Sequence, residues 1–169
     1  MELEHPFLVQ PLENFSPRIS ELVTMMSYTR TTTLWAVRKL SQEQLDARPN
    51  GLTNSIGMLL AHIAAVEVGY AVDTFEEREY DWDSPALALG ELGQQHIKGN
   101  NLSFYTDELA RVRAKTLEEF AKREDDWLYA QTPFWNNQPA NNYFKWFHVF
   151  EDELNHRGQI RLIRKMLSS

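Results

Sequence analysis

His148, Asp152 and His156 follow one another at two successive i,i+4 steps inside Trp146–Ile160, which reads WFHVFEDELNHRGQI. Residues four apart share a face of an α-helix, so all three project from one side within about three turns. Imidazole and carboxylate are the donors that hold divalent cations. At roughly 100° per residue, Val149, Ile160, Ile163, Met166 and Leu167 fall in the same sector, and Arg157, Arg161, Arg164 and Lys165 fall opposite. The polar row therefore lies on the inward face or at its margin. An unpaired ionised carboxylate there would cost several kcal/mol, and a metal ion between Asp152 and His156 would remove that cost. The plainer reading is a solvated surface pair, which the same spacing often makes. Against it stand the apolar sector and a further histidine, His62, inside an apolar segment elsewhere; alone, His62 would read as a hydrogen-bonded core residue.

The elements that must position these residues read as helices. Pro6 and Pro11 keep residues 1–15 extended, and Ser16-Pro17 starts a helix that runs to about Lys39. Its Thr31-Thr32-Thr33 run marks close packing or a pocket wall. Ser41-Gln42-Glu43-Gln44 is a capping box opening a short turn to about Ala47, and Arg48-Pro49-Asn50-Gly51 is a loop. Asn54 or Ser55 caps the next helix, Ile56 to about Phe75, where His62 and Glu67 are the conspicuous polar residues. Residues 76–101 form a long crossover: Pro85 to Leu92 makes a short helix, and Gly90, Gly93 and Gly99 break the pattern. Ser103 caps a third long helix, Phe104 to about Lys122. Asp125 to Ala140 is an aromatic loop carrying Trp127, Tyr129, Phe134 and Trp135, and the last helix runs from about Asn142 to Met166. Four long helices with no convincing strand pattern or repeat predict an all-α four-helix bundle.

Composition narrows the function. At 169 residues and 43% hydrophobic, the chain suits one domain over 1–169 and is short for two. A net charge of −7 without a basic run argues against nucleic acid. The absence of cysteine excludes disulfides, a thiolate nucleophile and Cys-based zinc or iron–sulfur sites. The acidic, proline-interrupted start does not read as a signal peptide, and no apolar run approaches the ~18 residues that span a bilayer. The reading is of a soluble cytoplasmic protein with no membrane partner.

A bundle builds a metal site from inward side chains on facing helices. His62, Asp152 and His156 make two imidazoles and one carboxylate, leaving positions for water or substrate, the arrangement of a catalytic rather than a closed structural site. His148 is a fourth ligand, a partner orienting the carboxylate or a proton shuttle; three turns of ligands would strain the geometry, which favours the second and third roles.

Two segments carry a resemblance. SIGMLLAHIAAVE (Ser55 to Glu67) resembles the helix-two histidine motif of the DinB-like superfamily, and HVFEDELNHRGQI (His148 to Ile160) resembles its helix-four motif. The leucine-rich first helix and its LSQEQLDARP exit extend the likeness over nearly the whole chain. The resemblance implies a four-helix bundle with a long second crossover and a divalent metal, zinc or nickel, near one end of the core. His62 matches the first ligand and His156 the last. Asp152 stands where relatives carry histidine, or glutamate in the maleylpyruvate-isomerase-like branch, and its shorter reach puts metal identity in question. Asn155 replaces a histidine that often precedes the last ligand. The resemblance also implies a homodimer, a link to stress response, and a low-molecular-weight thiol such as bacillithiol, mycothiol or glutathione.

The first functional expectation is a metal-dependent S-transferase that activates a thiol and adds it to a small-molecule electrophile. His62, Asp152 and His156 hold the metal, His148 assists proton transfer, Gln159 contacts a ligand or packs, and Trp135 with the helix-one threonines walls the pocket. Metal-assisted hydrolysis is a second expectation, although no general base is obvious beyond His148. The third is a non-catalytic binding or stress-response module with a structural or regulatory metal. His5 and His96 are poor candidates for any of these.

Overall fold

Ser16 and Pro17 start the first helix as expected, but the cap comes from far along the chain. In the computed structural model, which describes residues 5–168 (Met1–Glu4 of the expected lead-in lie outside them), α1 spans Pro17–Val37. The Ser16 side chain caps nothing in its own helix; Asp125 Oδ1 accepts from the Arg18 amide at 2.9 Å and from Ser16 Oγ at 2.5 Å. A carboxylate is favoured there by the orphan amides and the dipole of a helix start.

The capping box at Ser41 opens α2 (Gln42–Asp46) with both reciprocal bonds in place. Ser55 Oγ caps α3 (Ile56–Phe75) by accepting from the Met58 amide, while Asn54 Oδ1 takes the Gly90 amide at 2.8 Å. The glycines of the crossover do not break it as expected. Gly90 opens α4 (Gly90–His96), and a Cβ at Gly93 would meet the Ala88 carbonyl oxygen at 2.5 Å, so the second glycine lets two segments close on each other. α5 (Leu102–Phe120) is capped by Asn101, not Ser103, whose hydroxyl instead donates to the Asn101 carboxamide. α6 covers Asn142–Leu167.

The four long helices pack as the predicted bundle, α3 lying against both α5 and α6, and α1 against α6. By length and composition α3 is apolar enough to cross a membrane, contrary to the sequence expectation, yet most of it is buried inside the bundle. Its apolar surface lines a cluster including Leu59, Leu60, Leu109 and Ile160; a second cluster gathers Ile19, Leu22, Phe120, Leu128 and Trp146. The aromatic loop before α6 holds a short hairpin that the sequence did not announce: β1 (Gln131–Pro133) pairs antiparallel with β2 (Pro139–Asn141), Thr132 opposite Ala140. Asn136 and Asn137 turn it with φ of 54° and 57°, a left-handed conformation asparagine tolerates.

One polar cluster ties all four long helices. Arg30 on α1 donates to Glu153 on α6 (Nε to Oε1, 2.9 Å) and to Glu67 on α3 (Nη2 to Oε2, 3.0 Å), and Arg113 on α5 donates to Glu67 (Nε to Oε1, 2.7 Å). The remaining guanidinium hydrogens reach the Leu109 and Met26 carbonyl oxygens. All four residues are buried, with two positive charges against two negative. Burial alone would raise the Glu67 pKa, but the guanidinium groups of Arg113 and Arg30 overcome it and hold the carboxyl at about 2.

Candidate metal centre and its cleft

His62 and His156 meet across the α3–α6 interface with ring centroids 4.8 Å apart. Asp152 lies between them: Oδ1 is 3.3 Å from His156 Nε2, and Oδ2 is 3.9 Å from His62 Nε2. Ligand atoms from all three lie within 4.8 Å of one another, so side-chain rotation could gather them to the ~2 Å of a metal bond.

Local structure fixes the donors. His62 Nδ1 lies 2.8 Å from the Leu87 carbonyl oxygen, which can only accept, so Nδ1 carries the hydrogen and Nε2 offers a lone pair in the neutral ring. Burial pushes the His62 pKa below its usual value, against the opposing pull of that hydrogen bond and of Asp152, so the neutral ligand form is favoured. Asp152 Oδ2 is sealed from solvent and has no hydrogen-bond partner among the described residues. A buried carboxylate oxygen without a donor, facing an imidazole lone pair, is the chemistry of a cation site. Two imidazoles and one carboxylate are donors that suit a divalent transition metal.

His148 stands apart from this group. Its Nδ1 pairs with Glu151 Oε2 at 3.1 Å, and no hydrogen bond links it to Asp152. Its ring sits among Tyr70 (5.8 Å), Trp135 (5.4 Å) and Phe144 (6.4 Å). Gln159 is exposed rather than inward, but its amide reaches His156 Nδ1 at 3.3 Å.

A cleft of about 750 Å³ opens beside the triad, lined in part by His62, Tyr70, Trp82, Trp135, His148 and Asp152. Gly69 allows one wall of it, since a Cβ there would lie 2.8 Å from the Trp82 ring. Trp135, mostly exposed at the hairpin turn, stacks on Phe134 and forms the rim. The helix-one threonines do not wall this cleft. Thr29, Thr32 and Thr33 are buried and return their hydroxyls to carbonyls of their own helix, and Thr31 borders a separate groove between α1 and α5. Nor do all the basic residues of α6 point to solvent: Arg157 donates to Thr32 Oγ1, and Arg164 Nη1 to the Ala36 carbonyl at 2.6 Å.

The sequence model of the mycothiol S-transferase family matches residues 21–169. The chain belongs to that family. It is a DinB-like family, so the resemblance carried by the two histidine motifs is correct. No curated protein matches the chain. Among solved structures, the conserved protein of locus from Enterococcus faecalis superposes with a TM-score of 0.68 at 14% identity, over 86% of this chain and 94% of that one. At that identity the likeness shows the fold alone. Membership of the mycothiol S-transferase family supports thiol S-transfer as the reaction class.

Proposed function

We propose that this protein is a metal-dependent S-transferase joining a low-molecular-weight thiol to a small electrophile. His62, Asp152 and His156 would hold a divalent cation, zinc or nickel, at the inner end of the cleft. When bound, that cation supplies the charge that lowers the pKa of a coordinated thiol. The observation that carries this reading is the sealed, unpartnered Oδ2 of Asp152 beside the neutral His62 ring, at the edge of an aromatic cleft large enough for a small molecule.

The chain's own residues divide the remaining work. The Leu87 carbonyl keeps His62 in one tautomer, and the Gln159 carboxamide, with its oxygen turned to accept from Nδ1–H, would hold His156 with Nε2 free for the metal. His148, polarised by Glu151, takes up the proton that the thiol releases. Tyr70, Trp82, Phe134 and Trp135 enclose the reactants and exclude water. Family membership favours mycothiol over bacillithiol and glutathione as the thiol.

Tag-free protein analysed for bound metal, then incubated with monochlorobimane and each of the three thiols, tests the reading. Turnover with at least one thiol, lost together with the metal in His156→Ala, is expected. Metal-independent turnover, or none with any thiol, overturns it.

A further inference from the structure

The cleft is a ladder between two antiparallel helices. α3 contributes His62, Val66, Tyr70 and Asp73, and α6 contributes Lys145, His148 and Asp152. One rung is His62 with Asp152; at the far end Lys145 Nζ donates to Asp73 Oδ2 and to Thr132 Oγ1, both at 2.6 Å. Tyr70 and His148 form the rung between, rings 5.8 Å apart and edge to face.

Tyr70 is 3% exposed, with its ring against Trp82 (5.1 Å) and Phe134 (6.4 Å). Its backbone carbonyl accepts from Thr74 Oγ1 at 2.6 Å, but among the described residues no hydrogen bond reaches its hydroxyl. The ring is buried, and the hydroxyl, which is not sealed within the protein, is open to a partner in the cleft that Tyr70 lines. Burial, and then the negative charges of Asp73 and Asp152, push its pKa well above the ordinary value, so it faces the cleft as a hydrogen-bond donor.

We propose that Tyr70 is a catalytic residue whose hydroxyl donates to the carbonyl oxygen of the electrophile, and that the electrophile class is the α,β-unsaturated carbonyls. This rests on the transferase reading above. His148, level with Tyr70, lies four residues from Asp152, about 6 Å along the helix. A sulfur attacking the β-carbon of an enone stands four bonds from the carbonyl oxygen, a separation of the same order. The flat conjugated body suits the aromatic walls. As the S–C bond forms at the β-carbon, the C=C π pair moves onto the carbonyl oxygen, where the Tyr70 O–H stabilises the charge. The α-carbon then takes the proton that the thiol gave up, and Tyr70 keeps its own. The net change is addition of S and H across the double bond, with no oxidant or reductant.

The test compares 2-cyclohexen-1-one with monochlorobimane, whose leaving group is chloride, on the metal-loaded enzyme and its Tyr70→Phe variant. The variant should lower kcat on the enone roughly a hundredfold more than on the halide, with KM on the enone nearly unchanged. Equal losses on both, or none on the enone, overturn the proposal. A second readout needs no thiol: the carbonyl carbon of 13C-labelled cyclohexanone should move downfield on binding the wild-type protein and not on binding Tyr70→Phe. Absence of a Tyr70-dependent shift overturns the proposal whatever the turnover. A shift without turnover supports Tyr70 as the carbonyl donor and overturns the transferase reading alone. The variant should fold normally, since among the described residues the hydroxyl it loses has no hydrogen-bond partner.

Discussion

Two polar clusters sit in the same bundle, share the α3–α6 interface, and meet at the adjacent residues Asp152 and Glu153. In one, Arg30, Arg113, Glu67 and Glu153 balance their charges and satisfy one another, with two carbonyl oxygens taking the remaining guanidinium hydrogens. In the other, among the described residues, Asp152 keeps a sealed oxygen with no donor and His62 an unused lone pair. Burial costs the first cluster more than the second, yet the first is the one that is satisfied, so the difference lies in what completes them. The first is complete within the chain and ties the four helices together. On the proposed reading a bound cation would complete the second, and a cleft leads to it.

Breaking the closed cluster should have the largest effect. Arg113→Met leaves Glu67 with one guanidinium in a buried site and should cost about 3–5 kcal/mol in urea denaturation; a cost under about 1 kcal/mol would mean the cluster is hydrated and the contrast is false. The sign with pH follows from Glu67, whose folded pKa lies below its unfolded one. Its stabilisation is whole above 4.5 and is lost as pH falls toward about 2, so acid unfolding of the wild type should steepen in that window.

The open cluster should respond to metal instead. Zinc at a hundred times its Kd should stabilise the wild type by about 2.7 kcal/mol, seen as a rise in Tm, and Asp152→Asn should abolish the rise while leaving the metal-free protein at least as stable. A metal-free variant that unfolds far more readily would show that Asp152 is already satisfied. Next in size, Gln159→Leu should weaken zinc binding about tenfold in a competitive chelator titration; unchanged affinity would remove Gln159 from the site. The smallest effect is the pH slope of the metal-free protein. His62 has a lowered folded pKa, so its contribution is whole above 6.5 and declines as pH drops below it. His62→Gln should flatten that slope between pH 6.5 and 5.

The open cluster was legible in the sequence and the closed one was not, for a physical reason. His148, Asp152 and His156 share one helix, where spacing fixes direction, and the two histidine motifs pointed to His62 as the partner. Arg30, by contrast, reaches Glu67 over 37 residues and Glu153 over 123. Nothing in α1 alone distinguishes an inward arginine from a solvated one, although Glu67 in an apolar helix was a signal that a buried cation was needed. The same limit explains Asp125, whose capping role depends on a helix more than a hundred residues earlier. It also explains the threonines, which bond within their own turn rather than facing the cleft. Strands of three residues, with proline in each, carry too little alternation to announce a hairpin.

The four-way clamp has a consequence for how the protein is made. Arg30 leaves the ribosome 123 residues ahead of Glu153, a gap of about 6–25 s at ordinary elongation rates. Through that interval the nascent chain holds an arginine whose acidic partners are incomplete, so the interior has no settled arrangement to close around. Translation must reach the last helix before the four-way clamp can close.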